Sequence, residues 1–146
     1  MKNYVKGHLC WVILVGILTI SPSCKKNKDQ IPNVAVDEYI NLNLPDYINL
    51  NAINNWVYYN YAGNKGIIII RTSPTEFNAY ERTCTYDPSV SSAYVKGIPN
   101  DIFCVDSTCG SKFSLIDGSV VTGPASQPLL QYNTSLMSNN ILHIYN

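Results

Sequence analysis

Apolar and polar residues alternate over short stretches of this chain, and Gly, Pro, Asn and Ser separate one stretch from the next. Alternation over about four to eight residues is typical of half-buried β-strands, whereas an amphipathic helix needs apolar residues at helical spacing over a longer window. No such helical window occurs after Val34. The pattern therefore predicts an all-β domain. Its predicted strands are Ala35–Asn43, Trp56–Tyr59, Gly66–Thr72, Asn78–Glu81, Asp101–Val105, Lys112–Leu115, Ser119–Val121, Leu129–Asn133 and Ile141–Tyr145.

The most apolar stretch is Ile67-Ile68-Ile69-Ile70, which has no polar position. An alternating strand buries one face, so an unbroken apolar run predicts a central strand that is covered on both faces. Pro45–Leu50 is expected to form one helical turn. Ala62-Gly63-Asn64 and Ile116-Asp117-Gly118 are expected to form hairpin-type turns.

The N-terminus has the order of segments that is typical of an export signal. Lys2 and Lys6 precede an apolar run of 12 residues, Leu9–Ile20, and Ser21-Pro22-Ser23 leads into Cys24. A spanning helix needs about 20 residues, so this run is too short for an ordinary transmembrane anchor. A cysteine directly after small residues resembles a bacterial lipobox, in which that cysteine is acylated. The resemblance implies lipidation of Cys24, and simple secretion is the alternative.

The chain is accordingly divided into three parts. Residues 1–23 are expected to be a lipoprotein signal peptide, 24–33 a tether and 34–146 one β domain. Ser21 departs from the lipobox pattern, which usually has leucine or a similar residue at that position. The predicted location is the cell envelope of a Gram-negative bacterium, with the lipid on the periplasmic or the outer-membrane face.

The counts of charged residues and of histidines exclude some classes of function. The 146 residues carry 10 Lys and Arg against 10 Asp and Glu, but from Ile31 onward there are five against nine, a balance of −4. A nucleic-acid partner is therefore not expected, because such binding needs a clustered basic face. Of the two histidines, His8 lies in the predicted signal and only His143 remains. Chemistry that needs a pair of histidines within the mature domain is excluded.

Two segments carry a family resemblance. The first is Arg82-Thr83-Cys84-Thr85-Tyr86, and the second is Cys109-Gly110-Ser111-Lys112-Phe113, followed by Asp117-Gly118, Gly123-Pro124-Ala125 and Pro128-Leu129. Together they resemble the two cluster-binding boxes of the Rieske iron–sulfur domain, C-x-H and C-x-x-H-G-S-x-F, with the D-G turn, G-P-A loop and P-L strand start of that family. The resemblance implies an antiparallel β-sandwich or barrel with a small two-loop tip over the whole predicted domain.

The ligands of the family are mostly replaced. A Rieske [2Fe–2S] cluster needs two cysteines on one iron and two histidines on the other. Cys84 matches the first cysteine, Tyr86 stands at the first histidine, Asp106 at the second cysteine and Cys109 at the second histidine. His143 is far along the chain from both boxes. The resemblance thus implies the fold without the cluster, and no cofactor or metal is expected. The alternative is a non-standard cluster on Cys84, Cys104 and Cys109 with Asp106 or Tyr86.

The resemblance also implies a disulfide, because the two boxes of this fold face each other. A Cys84–Cys109 bond would close a loop of about 26 residues and contribute on the order of 3.5 kcal/mol, against about 2 kcal/mol for the short Cys104–Cys109 loop. Strand alternation places Cys104 with Ile102 on the face expected to be buried, as a packed thiol. Cys84–Cys104 pairing and the absence of any bond remain open.

A redox-active disulfide would need a lowered thiolate pKa, and the nearest cations in sequence are Arg82 and Lys112. A structural bond is favoured because no C-x-x-C motif opens a helix.

The predicted function is non-catalytic: an accessory or interaction lipoprotein that contacts the membrane through lipid on Cys24 and an unidentified protein or glycan through its domain. Electron or thiol transfer at the Cys84/Cys109 tip is the alternative. A third candidate is a glycan- or peptide-binding face on aromatic residues. Alternation places Trp56 and Tyr58 on one strand face and Tyr59 and Tyr61 on the other, so strand packing explains most of them.

Overall fold

The computed structural model describes residues 30–146, so the predicted signal peptide and most of the predicted tether lie outside the described residues. In the described part, ten β-strands and two short 3-10 helices follow one another. The strands are β1 (Asp37–Asn41), β2 (Trp56–Tyr59), β3 (Ile67–Arg71), β4 (Phe77–Glu81), β5 (Val95–Gly97), β6 (Phe103–Asp106), β7 (Lys112–Ser114), β8 (Val120–Thr122), β9 (Gln131–Met137) and β10 (Ile141–Tyr145). The 3-10 helices are Pro45–Asn51 and Ser138–Asn140.

The strands form two antiparallel sheets. One has six strands in the order β1-β10-β9-β4-β3-β2, and the other has four in the order β5-β6-β7-β8. The prediction of an all-β, antiparallel architecture is confirmed. The Thr83–Tyr94 bridge joins the two sheets where the chain leaves β4 and approaches β5.

Strand β3 lies between two hydrophobic cores, which explains its continuous apolar sequence. Ile67 and Ile69 point into a core shared with the Pro45–Asn51 helix and β10, whereas Ile68 and Ile70 point into a core between the two sheets. All four isoleucines are 0% exposed. Successive residues of β3 thus point alternately into the two cores, and the predicted burial of both strand faces is confirmed.

The aromatic run of β2 splits between the same two cores. Trp56 and Tyr58 pack against the core between the sheets, and Tyr59 packs against the other core. Tyr61 is 82% exposed, beyond the end of the strand. The predicted division by alternation is confirmed, so these rings do not form one continuous binding face.

One strand was missed by the prediction, and most of the other strand boundaries differ from it by one or more residues. Strand β5 was missed because Val95-Lys96-Gly97 is too short to alternate and gains its strand geometry from pairing with β6. Strand β9 extends to Met137, beyond the predicted end at Asn133, because its polar residues pair with β10 at an exposed sheet surface. Strand β1 starts at Asp37, where pairing with β10 begins.

The two ends of the domain lie side by side. The backbone amide of Val36 donates to Oδ1 of Asn146 at 3.0 Å, and the backbone amide of Asn146 donates to the Val36 carbonyl at 3.2 Å. The start and the end of the β domain are thereby tied together at the β1–β10 edge. Within 30–146, no helix is long and apolar enough to cross a membrane.

Candidate functional site

The first loop of the candidate site leaves strand β4 at Cys84. The Cys84 amide donates to the Ala93 carbonyl at 3.1 Å, which closes the 85–93 loop at its base. The Cys84 side chain is 0% exposed, whereas Tyr86 two residues later is 47% exposed. The cysteine position of the first box thus points inward, and the position that resembles a histidine ligand points into solvent.

The second loop connects β6 to β7 and holds Asp106 and Cys109. It is closed by two backbone hydrogen bonds, from Gly110 to the Asp106 carbonyl at 2.8 Å and from Asp106 to the Ser111 carbonyl at 2.9 Å. Oδ1 of the buried Asp106 carboxylate accepts from the Thr108 amide at 2.8 Å. Gly110 has φ +78, in the left-handed region that favours glycine, which explains the Gly after Cys109.

The two loops bring together three of the four positions that match the ligand pattern of the two boxes. The Sγ atoms of Cys84 and Cys109 lie 3.5 Å apart, and Cys109 Sγ lies 3.3 Å from Oδ2 of Asp106. Ligand atoms of these three side chains all lie within 4.8 Å of one another. Tyr86 is the fourth position, and its exposed ring is not in this group.

A third loop packs against the second and contains the G-P-A motif. Ser111 Oγ accepts from the Ala125 amide at 3.1 Å and also lies 3.1 Å from Cys109 Sγ. A Cβ on Gly123 would lie 2.5 Å from Ser111 Cα, and Gly123 has φ +105, so only glycine fits there. Motif residues after the second box therefore hold Cys109 in place. Ser111 is a site residue whose role the sequence pattern alone did not reveal.

Burial controls the chemistry of the two buried thiols. Burial, with a smaller contribution from the neighbouring Asp106 carboxyl, raises the pKa of Cys84 to about 12. Burial likewise raises the pKa of Cys104 to about 12. Because the thiolate is the reactive form, reduced Cys84 is a weak nucleophile at neutral pH.

The cations named from the sequence, Arg82 and Lys112, contact aromatic rings. Arg82 lies between the rings of Tyr58 and Tyr94, at 4.1 and 5.1 Å from their centroids. Lys112 lies over Phe103. Neither the Arg82 guanidinium nor the Lys112 ammonium is placed to stabilise a thiolate at Cys84.

Lys65 is a cation that contacts the first loop of the site directly, and the sequence pattern did not predict this role. Its ammonium donates to the carbonyls of Pro88, Val90 and Ala93 at 3.3, 2.5 and 2.8 Å, so it holds the loop that begins at Cys84. Burial lowers the Lys65 pKa, and the negative charge of Asp106 opposes that change. Lys65 therefore has a positioning role for the first loop.

The buried carboxylate of Glu81 accepts hydrogen bonds from residues next to the same loop. Glu81 is 0% exposed and accepts from the amides of Asn64, Lys65 and Thr83 at 2.6, 2.9 and 2.9 Å. It also accepts from the hydroxyls of Thr83 and Tyr132 at 2.7 and 2.9 Å. The network ties the predicted turn before β3 to strands β4 and β9.

The residues present do not fit a Rieske cluster. His143, the histidine of the described domain, lies on β10 between the rings of Tyr39 and Tyr145, and its Nε2 is 2.6 Å from Oδ1 of Asp37. The sulfur atoms of Cys84 and Cys109 are in direct contact, so no space for two irons lies between them.

Cys104 lies on β6, fully buried in the core between the sheets, as predicted. Among the described residues, it does not belong to the group of ligand atoms formed by Cys84, Asp106 and Cys109. The sulfur contact favours Cys84–Cys109 over Cys84–Cys104 as the pair that can oxidise. The bond itself stays a prediction, because the thiols of Cys84 and Cys109 are free in this structure.

Comparison with known proteins finds distant likeness to solved structures only. No protein-family model matches the sequence, and no curated protein matches it. One similar solved structure is a chain of the complex of reduced oxygenase and oxidized ferredoxin in carbazole 1,9a-dioxygenase, at 13% identity and a TM-score of 0.48. The match covers 77% of this chain and 94% of that chain. Membership of the Rieske family stays a prediction from the two boxes.

Proposed function

We propose that this chain is an exported, lipid-anchored protein whose Rieske-like domain has no cluster and acts without catalysis. Its tip, formed by the 85–93 loop and the Asp106–Ser111 loop, is a recognition surface that a Cys84–Cys109 disulfide holds in shape. The observation that carries the proposal is the 3.5 Å contact between Cys84 Sγ and Cys109 Sγ, on loops that are 25 residues apart in sequence.

The disulfide forms by oxidation of two thiols, which release two protons and two electrons. A thiol oxidant of the exported compartment accepts those electrons, as is usual for disulfides outside the cytoplasm. The sulfurs need to approach by about 1.5 Å to reach the normal S–S distance, a movement that the Gly110 turn can supply. The bond then replaces the stapling that a cluster gives to the two boxes of the family.

The charged and titratable groups of the tip support a role without turnover. Asp106 is buried and accepts from the Thr108 amide, so its carboxylate is used in shaping the loop. The raised pKa of Cys84 keeps its thiol protonated at neutral pH. His143 lies on β10 with Asp37 as its hydrogen-bond partner. Asp106 Oδ2 accepts from Cys109 Sγ at 3.3 Å and is thus within reach of a tip thiol, but the imidazole of His143 is paired with Asp37, so neither tip cysteine has the histidine partner that usually activates a cysteine nucleophile.

The surface of the tip offers side chains for recognition. Tyr86 and Val90 project from the first loop with 47% and 39% of their surface exposed. Tyrosine and aliphatic side chains on a rigid loop suit a protein partner, because they contribute contact area at low entropic cost. The partner is therefore expected to be a protein, with a glycan as the alternative.

The anchor is expected to hold this tip near the membrane. Gln30 and Ile31, the first described residues, line a cavity of about 390 Å³ together with Thr85 of the tip and with Gln127. Cys24, the predicted lipidation site, is six residues before Gln30, so the lipid lies within about 20 Å of this side of the domain. The proposed location is the cell envelope, on the periplasmic or outer-membrane face.

The proposal is tested by placing a photo-crosslinking amino acid at Tyr86 of the full chain in envelope preparations. Tyr39, which is 58% exposed on β1, is the matched control position. We expect a defined protein adduct from position 86 that the double variant C84S/C109S loses. Redox turnover by the purified protein that either C84S or C109S abolishes would overturn the proposal.

The alternative function is thiol or electron transfer at the same tip, and the grouping of Cys84, Asp106 and Cys109 within 4.8 Å favours it. In thiol transfer, the two thiols of the tip would reduce a partner disulfide to two thiols and become a cystine, with two protons following the electrons. In electron transfer, a non-standard iron–sulfur centre would absorb in the visible range. Visible bands with stoichiometric iron after anaerobic preparation would establish the latter.

A further inference from the structure

A small cleft lies at the opposite end of strand β6 from the tip. Its volume is about 260 Å³, and its lining comes from the Pro45–Asn51 helix, the segment that leads from it into β2 and the loop between β5 and β6. The lining residues are Asn49, Asn54, Asn55, Trp56, Pro99 and Asn100. Four of the six side chains are thus primary amides, and one is an indole.

The Trp56 indole is fixed in place before any ligand arrives. Its Nε1 donates to the Asp101 carbonyl at 3.1 Å, and a Cβ on Gly97 would lie 2.4–2.6 Å from three ring atoms. Only glycine at position 97 therefore lets the ring pack against β5. The ring of Tyr58 supports it from the side, with centroids 5.0 Å apart. The remaining surface of the half-buried indole faces the cleft.

The four asparagine side chains have no hydrogen-bond partner within 30–146, although several of their backbone groups do. The Asn54 amide donates to the Arg71 carbonyl, and the Arg71 amide donates to the Asn55 carbonyl. These bonds fix the backbone and leave each side-chain amide with two N–H donors and one oxygen acceptor. Asn54 and Asn100 have φ +67 and +56, a left-handed conformation that asparagine tolerates better than most residues.

The cleft carries no charge of its own. None of its six lining residues is ionisable. The guanidinium of Arg71, on the adjoining strand, is committed to the carbonyls of Leu50, Asn51, Ser73 and Pro74. A phosphate or carboxylate therefore finds no cation here, and the cleft selects for neutral ligands.

We propose that this cleft binds a neutral saccharide. Adjacent hydroxyl groups of a sugar each donate and accept, which matches amides that also donate and accept, and the C–H face of the ring fits against the fixed indole. Fixed backbone and indole positions lower the ordering cost of binding. The site is separate from the tip, so its binding does not depend on Cys84 or Cys109.

Tryptophan fluorescence tests the proposal directly, because Trp11 and Trp56 are the two tryptophans of the chain. In the full chain with Trp11→Phe, kept in a sugar-free detergent, Trp56 alone reports. The probes are maltotriose, mannotriose and N,N′-diacetylchitobiose, with trigalacturonic acid as the acidic counterpart. We expect a saturable emission change with at least one neutral probe and a weaker effect of the acidic probe.

Matched variants separate the amides from the backbone that carries them. N54G and N100G remove a side-chain amide and retain access to the left-handed conformation, and N139G does the same at φ +62 on the remote Ser138–Asn140 helix. We expect N54G and N100G each to weaken binding about threefold to tenfold and N139G to leave it unchanged.

Three results would overturn the proposal. The first is the absence of a saturable change with every neutral probe up to about 10 mM, since even weak recognition has a Kd near 1 mM. The second is equal or tighter binding of the acidic probe. The third is unchanged affinity in N54G and N100G while their unfolding midpoints match that of N139G. The C84S/C109S variant is expected to bind the sugar normally, which separates this site from the proposed tip function.

Discussion

Cys109 lies with its sulfur 3.5 Å from that of Cys84, at the position where the Rieske pattern has its second histidine. The retained cysteine of the first box thus faces a cysteine of the second box directly. An imidazole at position 109 would project further and leave space for a metal centre. With cysteine at position 109, the two positions hold a pair of thiols that can bond to each other.

Loss of either cysteine is expected to destabilise the oxidised protein. C84A and C109A each remove a cross-link over 25 residues of sequence separation, and the expected loss is about 3 kcal/mol in the free energy of unfolding. The measurement is denaturant unfolding with and without reductant. The double variant removes the same single bond as each single variant. Its loss of unfolding free energy should therefore exceed the larger of the two single losses by about 1 kcal/mol at most.

Reduction of the wild-type protein is the control for that prediction. It should lower stability to the level of the single variants, whereas reductant should leave C109A unchanged. Equal stability of wild-type protein with and without reductant would contradict a Cys84–Cys109 bond.

The reduced protein is expected to lose stability at alkaline pH. Burial raises the pKa of Cys84 from 9.0 to about 12, so the unfolded chain releases the proton first. Stability is therefore complete below about pH 9 and falls as pH rises towards 12, at up to about 1.4 kcal/mol per pH unit for one thiol. The oxidised protein has no such thiol at position 84 and should fall less steeply.

Urea unfolding at pH 8, 9 and 10, with and without a phosphine reductant, measures this difference. Cys104 has a similarly raised pKa in both forms, so its contribution is common to the two curves. Parallel curves for the reduced and oxidised forms would contradict the prediction.

Replacement of Glu81 is expected to be costly. E81Q puts an NH2 group among five donors that now share the carboxylate, including the Asn64 amide at 2.6 Å and the Tyr132 hydroxyl at 2.9 Å. The expected destabilisation is about 3 kcal/mol, because buried donors lose a charged acceptor. Y132F removes a single bond and should cost about 1 kcal/mol. An E81Q loss smaller than the Y132F loss would show that the network is not organised around this carboxylate.

The lipid anchor is expected to keep the tip side of the domain near the bilayer. Gln127 lines the cavity that contains the first described residues, whereas Asn100 lies at the opposite end of β6. Photo-crosslinkers at these two exposed positions should differ: position 127 should label lipid and position 100 should not. Removal of the anchor by C24A should abolish the label at 127. Equal lipid labelling at both positions would contradict this orientation.

Much of the fold follows from local pattern. The Ile67–Ile70 run predicted a two-sided central strand, and alternation in β2 correctly separated Trp56 from Tyr59. Strand β5 was not predictable in this way, because Val95, Lys96 and Gly97 become a strand only through pairing with β6. A short strand that forms only by pairing with a neighbouring strand cannot be predicted from the pattern of a single sequence.

The candidate site follows from the sequence in part. The two boxes predicted that Cys84, Asp106 and Cys109 lie together, and their motif positions were enough for that. Lys65 and Glu81 reach the site from the turn before β3 and the end of β4, and neither belongs to a box. Their roles depend on burial and on several backbone partners, which no spacing rule encodes.

The central claim is tested most directly by disulfide mapping after anaerobic and aerobic purification of the full chain. Combined cleavage after Lys and Arg and before Asp separates the three cysteines of the described domain into the peptides 83–86, 101–105 and 106–112. The account predicts a colourless, iron-free protein in which aerobic purification yields 83–86 linked to 106–112, with Cys104 free for alkylation. Visible charge-transfer bands with bound iron, or a link from 83–86 to 101–105, would contradict it.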